Sequence, residues 1–424
     1  MKLNELREII RGGALFKYRD LYSDSDMQTE RFLSAIDSFA ELYGGDRETL
    51  ILSVPGRSEI CGNHTDHNLG CVVAGAIDRD IIAVVCPRDD GAIRLTSKGY
   101  YESTVDISEI DDPDLFEKFK SRSLIAGVAA GLKRMGYSVG GFDAYTTSDV
   151  LKGSGLSSSA AFEVMIGNIL NHLYNGGEID NKEIAKAAKY AENVYFGKPC
   201  GLMDQMACAV GGFVYMDFEN ESDPVVEKLE LSLKDLGYSL CIINTGGSHS
   251  DLNEEFASIP TEMKAVAREL GCSVLREVPY DTLIGEIPRL RGLLGDRAVM
   301  RAMHFMAENE RAKDMASALS HGDIDAILET MRVSGRSSAT FLQNVFTPKS
   351  VTEQGITLAL ALADSFLSDK AAAYRVHGGG FAGTAQVLLP TALLGEFCEY
   401  MDKVFGEGAA MALNVRPLGA VRLF

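Results

Sequence analysis

The sequence contains no tryptophan and no pair of cysteines separated by two residues, although it has eight cysteines among 424 residues. The cysteines are spread through apolar surroundings, which predicts the reduced thiols of a cytoplasmic protein and neither disulfides nor a zinc site. No apolar run approaches the ~20 residues that a membrane-spanning helix needs. The N-terminal residues carry acidic side chains early and have no apolar core, so they predict no secretory signal.

Basic residues are scarce relative to acidic ones. The chain has 41 lysines and arginines against 60 aspartates and glutamates, a formal net charge of −19. Such a charge disfavours nonspecific binding to nucleic acid or to an anionic membrane surface, and we expect neither as a partner. A site for an anionic ligand must therefore supply its own local positive charge. The length is enough for two or three domains, and no repeat period indicates a solenoid.

The common phosphate-binding motifs are missing too. The sequence has no G-x-x-x-x-G-K-[ST] loop and no H-R-D or D-F-G element, which excludes a P-loop enzyme and a protein kinase. The run G-G-G-F-A-G at residues 378–383 formally matches G-x-G-x-x-G. A dinucleotide-binding fingerprint opens a helix, however, and the T-A-Q-V-L-L that follows predicts a strand ending at Pro390. A phosphate site in this protein must use other means.

A glycine and serine segment, G-S-G-L-S-S-S-A at residues 153–160, stands before a helical pattern. Its glycines allow positive φ and close approach to a ligand, and its serines mark the start of a helix that we predict to end near Tyr174. A helix N-terminus with free N–H groups is an anion site. Taken alone, the segment is equally consistent with an ordinary helix cap after a glycine turn.

A polar segment at residues 57–70, R-S-E-I-C-G-N-H-T-D-H-N-L-G, follows a predicted buried strand, Leu50–Val54, which we expect the next Pro-Gly pair to end. The mixture of guanidinium, imidazole, amide and carboxylate groups predicts a ligand-binding loop. Arg57 is the candidate for anions, and the candidates for hydroxyl groups are Asn63, His64 and Asp66. A metal site at the two histidines and the aspartate between them is the weaker alternative, because no further His or Cys cluster completes it.

A third segment, P-C-G-L-M-D-Q at residues 199–205, places Asp204 among apolar neighbours. This aspartate is either a helix cap or a partly buried carboxylate, and buried carboxylates of that kind are typical of catalytic bases and metal ligands. Strands are predicted at residues 213–218 and 238–244, and mostly helix from there to about residue 340. We predict a division near residue 216, with one domain over 1–215 and a second over 216–424.

These motifs, in this order, resemble those of the GHMP small-molecule kinases and, within them, the galactokinases. P-G-R-S-E-I-C-G-N-H-T-D-H-N at residues 55–68 resembles the galactokinase signature P-G-R-x-N-x-I-G-E-H-T-D-Y-N, and residues 153–160 resemble the family's phosphate loop. A-E-x-x-x-x-G-x-P-C-G-L-M-D-Q at residues 191–205 resembles the segment with the catalytic aspartate, and residues 374–383 resemble the C-terminal glycine turn. N-T-G-G-S-H-S from residue 244 and E-N-x-R from residue 308 agree more weakly.

The resemblance implies a two-domain α+β fold of the GHMP kinase type. The N-terminal domain would be a mixed sheet with helices, like domain 2 of ribosomal protein S5, and the C-terminal domain would be ferredoxin-like. The implied reaction is ATP-dependent phosphorylation of the anomeric C1 hydroxyl of galactose to galactose 1-phosphate, in the cytoplasm and with ATP and Mg²⁺. The sequence leaves the oligomeric state open, and we favour a monomer. The alternatives are a C1 kinase for galacturonate or N-acetylgalactosamine, and a non-catalytic sugar sensor. The retained Arg57, serine run and Asp204 favour catalysis.

The resemblance also implies roles for individual residues. The implied catalytic residues are Asp204, which orients or deprotonates the anomeric hydroxyl, and Arg57 beside it. The implied Mg²⁺ ligands are Glu192 and one of Ser158 or Ser159. The implied sugar-binding residues are Glu59, Asn63, His64, Asp66, Gly201 and Phe256. The implied nucleotide- and phosphate-binding residues are Gly153, Ser154, Gly155, Leu156, Ser157, Ser158, Ser159, Ala160, Gly379 and Gly380.

Two positions near the implied sugar depart from the family pattern. Asn63 stands where the signature has glutamate, and Phe256 stands where galactokinases have tyrosine. Glu59 in turn stands where the signature has asparagine, so the exchange moves a carboxylate along the chain and does not remove it. The sugar's outer hydroxyls are therefore the part of the substrate that the sequence specifies least.

Overall fold

The computed structural model describes residues 1–22, 25–45, 47–151, 155–247 and 252–424, without the side chains of residues 25 and 26. The helices are α1 (Leu3–Arg11), α2 (Ser25–Tyr43), α3 (Ser121–Arg134), α4 (Ser158–Tyr174), α5 (Asn181–Tyr190), α6 (Met203–Val210), α7 (Asn253–Glu269), α8 (Tyr280–Leu294), α9 (Asp296–His321), α10 (Ile324–Ser337), α11 (Gly355–Leu367) and α12 (Leu394–Phe405). The strands are β1 (Leu50–Cys61), β2 (Cys71–Arg88), β3 (Ala92–Ser97), β4 (Ser103–Asp106), β5 (Gly141–Ser148), β6 (Phe213–Asp217), β7 (Val225–Leu229), β8 (Tyr238–Asn244), β9 (Ala373–Val376), β10 (Thr384–Pro390), β11 (Ala410–Leu413) and β12 (Val421–Arg422).

The first sheet is mixed and is organised around the long strand β2. Its strand order is β12-β1-β2-β5-β3-β4, and β6 pairs with β2 and with β7. The pairing of β3 with β5 is parallel, whereas β2 pairs antiparallel with β1, β5 and β6. Because β2 has 18 residues, β5 pairs with its C-terminal half and β6 with its N-terminal end. The loop between β1 and β2 therefore lies at the end of β2 that pairs with β6, away from β5.

Helices cover both faces of this sheet, which explains why its central strands β1 and β2 are buried along almost their whole length. Alternate side chains of a strand point to opposite faces. Leu52 of β1 belongs to the core beneath α3, α4, α5 and α6, and Ile51 belongs to the core beneath α1 and α2. In β2, Ala83 and Val84 divide between the two cores in the same way. Burial on both faces thus fixes the strand that carries Arg57 rigidly in the middle of the domain.

The second sheet is antiparallel and has the order β11-β8-β10-β9. In chain order, a strand, a group of helices, two strands, a helix and a final strand build it, which is the ferredoxin-like arrangement. The predicted α+β fold, with a mixed sheet followed by a ferredoxin-like unit, is confirmed. Among the residues that the structure describes, no helix is both long and apolar enough to cross a membrane.

Strand β1 corrects one local prediction. The Pro55-Gly56 pair was expected to end the strand, but β1 continues to Cys61. The pair lies at a register shift, because Pro55 pairs with Asp80 and Arg57 pairs with Ala76. A strand can absorb a proline at such an irregularity. The first residues of the predicted polar loop, 57–61, therefore lie on a buried strand.

The division between residues 215 and 216 stays a prediction, and the sheet pairing favours a later position for it. Residue 216 lies inside β6, of which every residue pairs with β2. Strand β7 extends the same sheet, and β12 returns to it at the end of the chain. The predicted helix from the serines to Tyr174 is confirmed as α4, and α5 after it continues as a π-helical turn to Phe196.

Candidate active site

Arg57, Ser157 and Asp204 form a contiguous polar group between β1, the start of α4 and the start of α6. The Nε atom of Arg57 donates to Oδ1 of Asp204 at 2.8 Å, and its Nη2 atom lies 2.8 Å from the same oxygen. The Ser157 hydroxyl donates to Oδ2 of Asp204. Both carboxylate oxygens are thereby fixed, one by a cation and one by a hydroxyl. The structure thus brings together the two residues that the sequence predicts to be catalytic.

The surroundings keep Asp204 ionised. Burial opposes the charge of the carboxylate, but the Arg57 guanidinium and the hydrogen bonds from Ser157 and Arg57 outweigh it and lower the pKa of Asp204 below its ordinary value. The Arg57 side chain is buried and its own pKa is raised, since the charges of Asp204 and Glu59 outweigh its burial. The ionised carboxylate of Asp204 can accept a proton, and the charged guanidinium of Arg57 can stabilise negative charge.

The predicted phosphate loop packs directly against β1. The Arg57 backbone N–H donates to the Leu156 carbonyl at 3.1 Å, and the Arg57 side chain donates to the Gly155 carbonyl. A Cβ atom at Gly56 would lie 2.6 Å from the Leu156 oxygen, so this approach requires glycine. Leu156 and Ala160 are buried in the core and anchor the loop. Gly153 and Ser154 lie outside the described residues, as do the last three residues of N-T-G-G-S-H-S.

Helix α4 begins directly after Ser157, which adopts the left-handed conformation with φ 58°. The Ser157 hydroxyl caps no N–H group of the helix, because it donates to Asp204 instead. The first N–H groups of a helix have no partners within it. Ser158, Ser159 and Ala160 therefore form the first turn of a helix whose N-terminus is suited to an anion. Their predicted phosphate and metal roles stay predictions.

A cluster of buried oxygen atoms lies next to this helix start. Gln205 donates through Nε2 to Oε2 of Glu192 at 2.9 Å and to Oε2 of Glu163 at 3.1 Å. Oε1 of Glu192 pairs with Lys198 at 3.1 Å. Burial and then the charge of Glu192 raise the pKa of Glu163. Oε1 of Glu163 and Oε1 of Gln205 are buried and have no hydrogen-bond partner within the described part of the chain.

The chemistry of this cluster fits Mg²⁺, which prefers oxygen ligands and retains several waters. Two carboxylates share a single amide donor, and Ser159 lies four residues before Glu163 and so on the same face of α4. In the described ranges no three His, Cys, Asp or Glu side chains come close enough to hold a metal by themselves. An ion here therefore needs serine hydroxyls and phosphate oxygens besides Glu192.

The segment between β1 and β2, residues 62–70 and hereafter the sugar loop, carries His64 and Asp66. His64 has φ 59°, and its Nε2 atom lies 2.9 Å from the Gly379 carbonyl, which makes Nε2 the protonated nitrogen. Burial lowers the pKa of His64 to about 4, so the ring is neutral near pH 7. Burial and the charge of Asp204 raise the pKa of Asp66. A Cβ atom at Gly201 would lie 2.1 Å from Oδ2 of Asp66, so the two predicted sugar ligands are adjacent.

The two exchanged positions of the family signature contact each other. Nδ2 of Asn63 donates to Oε1 of Glu59 at 2.9 Å and to the Gly378 carbonyl at 2.8 Å, and its Oδ1 atom accepts from Asn344 at 2.8 Å. Arg375 lies 3.1 Å from Oε1 of Glu59. Asn63 is fully buried and Glu59 nearly so. Their sugar-binding roles stay predictions, and every side-chain polar atom of Asn63 already has a protein partner.

The glycine turn between β9 and β10 closes over the sugar loop. Its Gly378 and Gly379 carbonyls accept from Asn63 and His64. A Cβ atom at Gly379 would lie 2.6 Å from Cε1 of Phe256, and one at Gly380, which has φ 82°, would lie 2.2 Å from the Asn344 oxygen. These contacts place Phe256 near the sugar loop, whereas the predicted nucleotide role of Gly379 and Gly380 stays a prediction.

Sequence reasoning missed several residues of the site. Glu163 stands out in the sequence as a glutamate inside an apolar helical pattern, and Gln205 as the neighbour of Asp204. The hydrogen bond between these two side chains, which lie on different helices, could not be predicted. Lys198 lies in the loop before α6 and belongs to no pattern that indicates a function. His304 of α9, which contacts the sugar loop, had no local signal, although Glu308 lies in the E-N-x-R motif.

Two family domains match this chain. Residues 37–87 match the galactokinase galactose-binding signature, and residues 123–212 match the GHMP kinases N terminal domain. The first range contains β1 and the sugar loop, and the second extends from α3 to α6 and so contains the phosphate loop and Asp204. Together the matched ranges contain Arg57, the phosphate loop, Asp204 and the sugar loop.

Complete proteins match as well. The chain is 32% identical over 384 residues to a galactokinase of Streptomyces coelicolor, covering 89% of this chain and 94% of that protein. The crystal structure of Lactococcus lactis galactokinase complexed with galactose has a TM-score of 0.78 at 23% identity, covering 92% of this chain and all of that one. Methanococcus jannaschii mevalonate kinase has a TM-score of 0.60 at 14% identity, covering 87% and 98%.

Proposed function

The chain belongs to the galactokinase family of the GHMP kinases, and we propose that it transfers the γ-phosphoryl group of ATP to the anomeric C1 hydroxyl of galactose, giving galactose 1-phosphate. The observation that carries this proposal is the position of Asp204. Its carboxylate is fixed between Arg57 and Ser157 at the N-terminus of α4, where an acceptor hydroxyl and a phosphoryl group would meet.

In this reaction Asp204 acts on the acceptor. Its ionised carboxylate accepts the hydrogen bond of the anomeric hydroxyl and takes up its proton as the hydroxyl oxygen bonds to the γ-phosphorus. The bond from that phosphorus to the oxygen it shares with the β-phosphate breaks, and ADP leaves. Arg57 holds Asp204 in its charged form and stabilises the negative charge of the transferring group.

The start of α4 serves the nucleotide. Backbone N–H groups of the first turn would bind phosphate oxygens, and Arg57 supports the loop through the Gly155 and Leu156 carbonyls. Glu192 with Ser158 or Ser159 would hold Mg²⁺, which neutralises and orients the phosphates when bound. Lys198, paired with Glu192, keeps the carboxylate cluster from repelling the nucleotide.

The sugar loop serves the acceptor sugar. Asp66 lies against Gly201, beside the segment that carries Asp204, so that its carboxylate can accept hydrogen bonds from two neighbouring sugar hydroxyls. His64 is neutral and adds no charge to this side of the site. Galactose is the sugar named for the Lactococcus lactis relative, and the arrangement supports it as the first candidate. We further propose a monomeric and cytoplasmic enzyme, and the eight free thiols support the cytoplasmic location.

A related sugar is the second candidate, and the exchange of Glu59 and Asn63 favours it. The loop position at which galactokinases have a glutamate carries an asparagine here and so offers no carboxylate. The side-chain amide of Asn63 is hydrogen-bonded to Glu59 and Asn344. Phe256 also lacks the hydroxyl group of the family's tyrosine. Galacturonate and N-acetylgalactosamine, which differ from galactose at outer positions, are therefore the alternatives to test.

The decisive experiment measures ADP release with MgATP against galactose, glucose, N-acetylgalactosamine, galacturonate and L-arabinose. We expect the highest kcat/KM with galactose. Turnover of another sugar alone would assign a changed specificity to an unchanged catalytic group. Binding of sugar and ATP without turnover of any sugar would contradict the proposed reaction and favour a sugar sensor. Product analysis by phosphorus NMR would identify C1 as the acceptor position.

A further inference from the structure

Helix α9 holds both backbone polar groups of Asn63, its N–H and its carbonyl. Nε2 of His304 lies 2.9 Å from the Asn63 carbonyl oxygen. Oε1 of Glu308 accepts from the backbone N–H groups of Asn63 at 3.3 Å and of Gly62 at 3.1 Å. His304 and Glu308 are four residues apart and therefore lie on one face of the helix. A carbonyl oxygen only accepts, so the proton of His304 is on Nε2.

Both side chains are themselves fixed. Nδ1 of His304 accepts from the Ser337 hydroxyl at 2.9 Å. Oε1 of Glu308 also accepts from the Ser334 hydroxyl, and its Oε2 atom pairs with Arg311 at 2.7 Å. His304 and Glu308 are fully buried. Neither residue touches the Arg57–Asp204 group directly, and neither is explained by packing of an apolar core.

His304 holds the peptide that directly precedes His64, and Glu308 holds the two peptides before it. His64 has φ 59°, a left-handed conformation that residues other than glycine rarely adopt and that persists only where the surroundings fix it. A fixed Asn63 carbonyl sets the plane of the Asn63–His64 peptide and so the direction of the imidazole ring. Helix α9 also holds the far end of the sugar loop, because Oδ1 of Asn309 accepts from the Cys71 N–H at 2.9 Å.

We propose that His304 and Glu308 are positioning residues for the sugar: His304 fixes the peptide before His64, Glu308 fixes the two peptides before that one, and together they hold the sugar loop in its binding conformation. The proposal rests on the proposed function in that it takes His64 and Asp66 to face the sugar. It assigns to a helix of the second half of the chain the task of ordering a loop of the first half. Ordered binding groups of this kind raise affinity because the loop is arranged before the substrate arrives.

The test compares His304→Leu, which cannot donate, with His304→Gln, whose amide nitrogen can donate to the Asn63 carbonyl. We expect His304→Leu to raise the KM for galactose roughly tenfold to hundredfold, since small misplacements of positioning groups have effects of that size. The KM for ATP should stay within about twofold, and His304→Gln should recover most of the loss. His321→Leu, at the exposed end of the same helix, is the matched control and should behave as wild type.

A double-mutant cycle with His64→Ala separates positioning from general structural support. If His304 acts through His64, His304→Leu adds little to the loss already caused by His64→Ala. Independent effects that multiply, or an equal rise in the KM for ATP, would overturn the proposal. Should His304→Leu not fold, Ser337→Ala, which only releases the His304 ring, should raise the KM for galactose several-fold in the same cycle, and an unchanged KM there would count against the proposal.

These outcomes are distinguishable from a failure of the proposed function. That failure appears in the wild-type protein, as absence of turnover with every sugar of the panel. The cycle can then be measured by calorimetry as galactose affinity, with thermal unfolding to show that each variant is folded. Loss of affinity in His304→Leu without coupling to His64 would still overturn the proposal.

Discussion

The phosphate side and the sugar side of the site are built in different ways. On the phosphate side, Arg57, Ser157 and Asp204 come from one domain and contact one another directly. On the sugar side, the loop of residues 62–70 owes its conformation to groups from the other half of the chain, above all His304 and Glu308. The first side is a compact group of motif residues, and the second is an interface.

The two sides also differ in charge. The phosphate side contains an ionised carboxylate, a guanidinium and a buried carboxylate cluster around Gln205. On the sugar side the described charges are paired within the protein, Glu59 with Arg375 and Glu308 with Arg311. His64 is neutral, and Asp66 is the carboxylate predicted to face the sugar. Positive and negative charge are both needed where a phosphoryl group moves, whereas hydrogen-bond acceptors and neutral donors suffice where hydroxyls are bound. Changes on the phosphate side should therefore lower kcat, and changes on the sugar side should raise the KM of the sugar.

The largest effect is expected from Asp204→Asn. The amide cannot accept the hydroxyl proton, so kcat should fall by a factor of about 1000 or more, within the range for removal of a general base. The melting temperature should fall modestly with the fold retained, because the amide keeps the shape of the side chain but leaves the buried Arg57 guanidinium without its carboxylate. Stopped assays of ADP release with galactose measure the loss. Asp223→Asn, at an exposed position, is the control, and a kcat within about tenfold of wild type would remove Asp204 from the chemistry.

The next effect is expected from Arg57→Gln. Loss of the guanidinium should lower kcat about 100-fold, the size observed for removal of one charge-stabilising donor, and should raise the KM for galactose much less. Without the Arg57 charge the pKa of Asp204 rises, and the ionised form is then lost at a higher pH as the solution is acidified. The acid limb of the kcat profile should accordingly move to higher pH.

The pH profile distinguishes the two roles of Arg57. Lys at this position keeps a charge but cannot reproduce the guanidinium geometry, so Arg57→Lys should retain the wild-type acid limb with a reduced kcat. A change confined to the KM for galactose, with an unmoved acid limb, would assign Arg57 to ground-state binding alone.

On the sugar side, the exchanged pair of Glu59 and Asn63 should act as a unit. Glu59→Asn leaves Arg375 buried without its nearest carboxylate and should cost about 3 kcal/mol of unfolding free energy. Asn63→Glu alone brings a second carboxylate beside Glu59, a repulsion of about 4 kcal/mol at ~4 Å and an effective dielectric of ~20. The double variant restores the family arrangement, so a favourable coupling of about 2 kcal/mol is expected.

Urea unfolding of the four proteins measures this coupling. Glu59 and Asn63 are not coupled if the loss of unfolding free energy in the double variant equals the sum of the two single losses within about 0.5 kcal/mol. The same four proteins also sharpen the specificity question. A carboxylate returned to position 63 should change the ratio of activities with galactose and galacturonate while the KM for ATP stays constant.

The sequence predicted the elements whose signals are local. The apolar pattern of α4, the continuous apolar run at the start of β1 and the strand after the glycine turn are all visible within short windows. Strand β7 was not predicted, because it is a largely exposed edge strand with two charged residues among its five. Helix α8 was not resolved from its neighbours, because Pro288 interrupts its pattern.

The site divides in the same way. Arg57 and Asp204 could be predicted because ordered motifs carry them, although only the fold shows that they touch. His304, Glu163 and Asn344 could not, because their partners lie far along the chain and each is an ordinary polar residue in its own helix or loop. Positioning groups are specified by tertiary packing, and a single sequence records the residue but not its partner.

The smallest effect is expected from Phe256→Tyr, which restores the family's hydroxyl group. The Phe256 ring packs edge-on against Phe381 at 5.5 Å between centroids and lies close to Gly379 of the glycine turn. One added hydrogen bond is worth about 1 kcal/mol, so the KM for galactose should fall at most about fivefold, with kcat and the KM for ATP unchanged. Phe16→Tyr, at an exposed position, serves as the control. A larger fall would mean that the absence of this hydroxyl group, and not the order that α9 imposes on the sugar loop, limits sugar affinity. The sugar side would then depend on one direct contact to the sugar more than on groups that position the loop.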